Sequence, residues 1–152
     1  MIFHTGPMPS PLYGRYTRPT EFDDVAADFP ELTLIMAHSG QGHIAVPHLW
    51  IEALAVAREK PKVVLELSLW QIIYRDDPGA FVRALDTMRR EIGIERIVFG
   101  SDFPGPREVL PLKEWVGAIK QLPSLGEQQG VPFDDRDVDA ILGADSARIL
   151  RL

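Results

Sequence analysis

Four short apolar runs in this chain each end in a polar residue, and those residues recur at an almost constant interval. The runs are Met1-Ile2-Phe3 before His4, Leu34-Ile35-Met36-Ala37 before His38, Val63-Val64-Leu65 through Leu67 before Ser68, and Ile97-Val98-Phe99-Gly100-Ser101 before Asp102. The spacings between the terminal residues are 34, 30 and 34. That is about the length of one strand followed by a crossover helix. The pattern predicts parallel strands with His4, His38 and Asp102 at their carboxyl ends, where α/β folds gather their chemistry. Two imidazoles and a carboxylate at one such edge point to a metal or acid–base site.

Composition narrows the options. At 152 residues the chain reads as a single domain, 1–152, with a sizeable core. A net charge of −6 argues against nucleic acid or an anionic membrane as partner. With no cysteine, disulfides, thiolate metal sites and a cysteine nucleophile are excluded. No apolar run approaches the ~20 residues of a membrane span. The start, Met-Ile-Phe-His, lacks the form of a secretory signal, so the expected location is the cytoplasm.

Prolines and glycines punctuate the periodic segments. Gly6 to Pro19 must be a loop because of Pro7, Pro9 and Pro11. A helix is expected over Glu21–Asp28, with Thr20 as its N-cap. A strand follows from Leu32 to Ala37, then a helix from about His48 to Lys60 with an apolar stripe of Leu49, Ala53, Leu54 and Ala57. The third strand spans Val63 to Leu69. Asp76-Asp77-Pro78 opens a helix whose buried stripe is Phe81, Leu85, Met88 and Ile92, and Gly93 caps it. The fourth strand runs from Arg96 to Ser101. A helix over about Leu112–Leu122, a polar loop, and a last helix from Asp137 to Leu152 complete the chain. The last helix has a break at Gly143 and Asp145 as an internal cap. This β-α-β-α-β-α-β-α-α order implies a parallel sheet with right-handed crossovers.

Each candidate residue has a chemical and a structural reading. His4, in His-Thr-Gly, suits a divalent metal, or is a hydrogen-bonded histidine near a chain start. His38, before Ser39-Gly40, is a ligand or a general acid/base, or a satisfied strand-end histidine. Asp102, braced by Phe103-Pro104, is a metal ligand or a base toward bound water, or a turn carboxylate. Its recurrence in phase with His4 and His38 favours function. Ser68 orients substrate or closes a turn, and Glu66, two residues earlier, faces the same side in a supporting role. Trp70 and Tyr74 line a pocket rim or pack. Arg15 and Arg18 are candidates for a substrate carboxylate. His43 and His48 lie near the mouth of the pocket. Gly40-Gln41-Gly42-His43-Ile44-Ala45 fits G-x-G-x-x-A with Glu66 downstream, the form of a dinucleotide fingerprint. Against it, no helix begins directly after the glycines, and it leaves His4 and Asp102 without a role.

At these residues the chain resembles the amidohydrolase-related family, the hydrolase and decarboxylase branch of the metal-dependent amidohydrolase superfamily of TIM barrels. The matching segments are His4-Thr5-Gly6, Arg18-Pro19, Asp23 to Leu32 with its Asp-Phe-Pro-Glu-Leu, Ala37-His38-Ser39-Gly40, Val64 to Ser68, Phe99-Gly100-Ser101-Asp102-Phe103-Pro104, and Ile141 to Leu150. They cover nearly the whole chain in order. The resemblance implies that His4 is the metal ligand ending strand five. It implies that His38, ending strand six, contacts metal or substrate as acid/base, and that Asp102, ending strand eight, is ligand and base toward metal-bound water. The implied activity is hydrolysis or decarboxylation of a small carboxylate-bearing or cyclic substrate. Zinc is the first choice of metal, with manganese or magnesium as alternatives.

Two features depart from the family. Asp145 stands where Asn is usual, and either residue caps. Strands one to four, with the His-x-His pair of strand one, have no counterpart here. The expected fold is therefore the C-terminal half of a TIM barrel, about four strands with flanking helices. It is either a piece of a longer enzyme lacking its N-terminal half or a half-barrel that closes as a homodimer. A catalytically incomplete half-barrel acting as an assembly unit is the alternative function, and a nucleotide-binding domain a third.

Overall fold

The computed structural model describes residues 1–8, 11–41 and 48–152. Its sheet has four parallel strands in the order β1-β2-β3-β4. They are β1 (Ile2–His4), β2 (Leu34–Ala37), β3 (Val63–Glu66) and β4 (Ile97–Val98). The register pairs Phe3 with Met36, Met36 with Leu65 and Leu65 with Ile97. Side chains alternate along a strand, so this row shares one face. Met36, Leu65 and Ile97 are buried in the core, and Phe3 packs against it. The alternate row brings His4, Ala37, Glu66 and Val98 to the opposite face.

The helices that cover the core follow the apolar spacing. They are α1 (Glu21–Asp28), α2 (His48–Glu59), α3 (Gln71–Asp76), α4 (Pro78–Ile92), α5 (Leu112–Lys120), α6 (Leu122–Gln128), α7 (Asp135–Asp139) and α8 (Asp145–Leu150). The stripes expected on α2 and α4 are the buried ones, extended by Val56 and Val82. Trp115 of α5 closes an aromatic cluster, 5.4 Å from Phe81 and 6.1 Å from both Tyr74 and Phe99. Arg96 ties α2 and the turn after it to α4: its guanidinium donates to the carbonyls of Ala57, Lys60 and Ile92. No described helix is long and apolar enough to cross a membrane.

Several boundaries differ from expectation. Thr20 adopts helical backbone angles, and its hydroxyl caps nothing. Asp77, in contrast, caps α4 by accepting from the Ala80 N–H, with Pro78 in the first turn. Helix α3 occupies a stretch without an assigned element, and α6 replaces the polar loop. The final helix starts at an Asp134 capping box, passes through a π-helical turn at Ala140–Ala144 and resumes at Asp145. Asp145 is no cap; its carboxylate binds Arg148 at 3.0 Å. Strand β4 is short because the Phe99 N–H leaves the sheet and donates to Ile141 in that π-helical turn.

Candidate active site

The carboxyl ends of the strands carry the predicted residues, held by left-handed backbone. His38, Ser39, Leu69 and Asp102 all have positive φ, at 67°, 48°, 65° and 48°. Such conformations cost a non-glycine residue about 1–3 kcal/mol each and gather where a site is built. Gly40, at φ 77°, completes the first of these turns; a Cβ there would lie 2.4 Å from the Leu49 carbonyl oxygen. The first glycine of the G-x-G-x-x-A segment therefore lets the turn pack on α2. Gly42 to Ala45, with His43, lie outside the described residues.

His4 and His38 come together as an edge-to-face pair, ring centroids 4.7 Å apart. His4 Nε2 is buried and has no hydrogen-bond partner among the described residues. The His38 ring is anchored on its other side, with Nδ1 2.7 Å from Ser68 Oγ. Burial pushes His38 below the ordinary imidazole range, and the neighbouring His4 adds to this; Asp102 and a hydrogen bond to Ser68 oppose it. Asp102 is exposed and acts electrostatically on both His38 and Glu66.

Glu66 is the buried centre of this edge. Its Oε2 accepts from the His38 N–H at 2.9 Å and from Ser68 Oγ at 2.6 Å, and its Oε1 accepts from the Ser68 N–H at 3.1 Å. Burial pushes its carboxyl up, and these three hydrogen bonds pull it back. Thr5 ties β1 to the His38 turn by donating to the Ala37 carbonyl and accepting from the Gly40 N–H. Gln71, buried in α3, donates to the Ser101 carbonyl beside Asp102. Glu66 carried a sequence signal through its spacing from Ser68, but its central place needed the fold. Thr5 and Gln71 carried none.

Four expected substrate contacts have partners within the chain. Ser68 is 2% exposed, and its hydroxyl is committed to Glu66 and His38. Trp70 is fully buried and donates Nε1–H to the His38 carbonyl at 3.0 Å, so it braces the turn instead of lining a rim. Arg18 pairs with Glu52. Arg15 lies over the Tyr13 and Tyr16 rings, at 5.1 and 4.6 Å. Tyr74 packs against Phe81, and His48 is exposed at the start of α2.

The donor set can be tested against a metal. The unpartnered, buried Nε2 of His4 fits a ligand atom, and Asp102 offers a carboxylate at the same edge. Among the described residues no group of three or more His, Asp or Glu side chains converges on one point. His4 and Asp102 would be two ligands, short of the three protein ligands usual for catalytic zinc.

The family model for amidohydrolases matches residues 1–152. The chain belongs to the amidohydrolase family. Solved structures share its fold. An uncharacterised TIM-barrel protein from Bordetella bronchiseptica is 24% identical, with a TM-score of 0.62 over 99% of this chain and 44% of its own. An amidohydrolase from Burkholderia multivorans with bound zinc is 20% identical, with a TM-score of 0.68 over 99% of this chain and 52% of its own. A second form of that protein, with bound HEPES, gives 18% and 0.67, covering 53% of its chain. No curated protein matches. The amidohydrolase chain spans about half the length of these structures, and its four strands and flanking helices correspond to that part of a TIM barrel.

Proposed function

We propose that this chain carries part of the active site of a metal-dependent hydrolase, acting on a small carboxylate-bearing or cyclic substrate. The observation that carries the reading is the buried, unpartnered Nε2 of His4 beside His38, on the strand edge that also bears Asp102. His4 and Asp102 would hold a divalent ion, with zinc preferred over manganese or magnesium because the ligand set is one imidazole and one carboxylate. Such an ion supplies Lewis acidity that polarises a carbonyl. The bound zinc of the Burkholderia relative supports the choice.

The protein groups divide the proton work. Burial favours the neutral form of His38, which leaves the ring able to accept a proton. Asp102, exposed at the same edge, receives the proton of the attacking water and returns it to the leaving group. Four further strands, from additional chain or from a second copy, would close the barrel and complete the ligand set.

The test is hydrolysis of small carboxylate-bearing lactones and amides by the zinc-loaded protein. Activity should vanish with a chelator and with Asp102→Asn, and fall about 10²-fold or more with His38→Asn. Release of carbon dioxide in place of a hydrolysis product would assign decarboxylation. Turnover indifferent to chelator and to Asp102→Asn, or none from folded, zinc-loaded protein whose barrel is closed by the additional chain or a second copy, would overturn the hydrolase reading.

A further inference from the structure

Glu66 grips a single residue at two points. One carboxylate oxygen, Oε2, accepts from the backbone N–H of His38 and from the hydroxyl of Ser68, whose oxygen in turn meets His38 Nδ1. The other oxygen accepts from the Ser68 N–H. Backbone N–H groups can only donate, and an ionised carboxylate can only accept. With Glu66 ionised, the single hydrogen of the Ser68 hydroxyl goes to the carboxylate across the 2.6 Å contact. Ser68 Oγ then offers His38 nothing but a lone pair, so the ring hydrogen must sit on Nδ1 and the free lone pair on Nε2.

The surroundings keep this relay in register. The Ser39 hydroxyl donates to the Glu66 carbonyl, and Trp70 holds the His38 carbonyl. Gly100 makes room for the carboxylate: a Cβ there would lie 1.1 Å from Glu66 Oε1. This gives the glycine of the Phe99-Gly100-Ser101-Asp102 segment a role that the metal reading leaves unexplained.

We propose that Glu66 and Ser68 are positioning residues that fix His38 as its Nδ1–H tautomer, so that Nε2 is the atom presented for chemistry. The relevance to catalysis rests on the proposed hydrolase reading; the tautomer itself does not. A base is commonly oriented by a third group in this way, with a hydroxyl here standing between the carboxylate and the ring.

The experiment is long-range ¹H–¹⁵N NMR on the imidazole-labelled full chain at neutral pH, without metal or substrate, which reads the tautomer of each histidine. Wild type should show His38 as Nδ1–H. Ser68→Ala removes only the hydroxyl and should shift His38 toward the Nε2–H form that free histidine favours, leaving His4 unchanged. Gly100→Ala, which does not touch His38, should shift it the same way by displacing Glu66. An Nε2–H His38 in wild type, or an Nδ1–H form that survives Ser68→Ala, would overturn the proposal. Because no metal enters the measurement, a failure here is separable from a failure of the hydrolase reading.

Discussion

A carboxylate oxygen occupying the space of a side chain at position 100 is a strong constraint on one residue. Gly100→Ala must either expel Glu66 or move the backbone. Overpacking costs about 1–3 kcal/mol. Leaving the buried donors of His38 and Ser68 unpaired adds about 1–3 kcal/mol. The variant should lose about 3 kcal/mol in urea unfolding, and a loss under about 1 kcal/mol would contradict this packing. Glu66 also sets a pH dependence. Its folded pKa lies above the ordinary 4.5, so its contribution to stability is full below that pH and is lost as pH rises through the folded value. The urea midpoint of wild type minus that of Glu66→Gln should therefore decline as pH rises from about 4.5, and a flat or rising difference would contradict the assignment. At this scale the sequence showed the strand-end residues His4, His38 and Asp102, because each follows an apolar run. It left Ser68 and Trp70 each open between a substrate contact and a packed role, and the fold turns their polar groups inward. It was silent on Thr5 and Gln71, whose partners are backbone carbonyls distant in sequence.

Helices were legible where spacing and end signals agreed. Helix α4 has a capping aspartate, a first-turn proline, a four-residue apolar stripe and a terminal glycine, and it forms where expected. Asp77→Ala should cost about 1 kcal/mol of stability, the usual value of an N-cap, and a change below the error of a urea titration would remove Asp77 as a cap. Helix α6 was hidden by its glycine. Gly126 reads as a loop residue, yet a Cβ there would lie 2.3 Å from the Val131 carbonyl oxygen. Close passage of the following chain, rather than a turn, selects glycine at that point. The short β4 was likewise unreadable, since the apolar run through Phe99 gives no sign that the Phe99 N–H is taken by the Ile141 carbonyl.

On the scale of the whole molecule, the recurrence of apolar runs carried the order and sense of all four strands, because each crossover must return the chain to the same end of the sheet. It also put His4, His38 and Asp102 at the carboxyl ends of the strands, where the fold carries them. It did not show that, among the described residues, no three His, Asp or Glu side chains converge there, which depends on how side chains meet in space. The central claim is that His4 and Asp102 bind a divalent ion at this edge. Its most direct test is calorimetric titration of zinc into the purified full chain, with His4→Ala and Asp102→Asn alongside. The account expects one zinc per site in wild type and at least a tenfold loss of affinity in each variant, about 1.4 kcal/mol of binding free energy. Zinc binding that neither substitution weakens, or its absence from folded wild type, would contradict it.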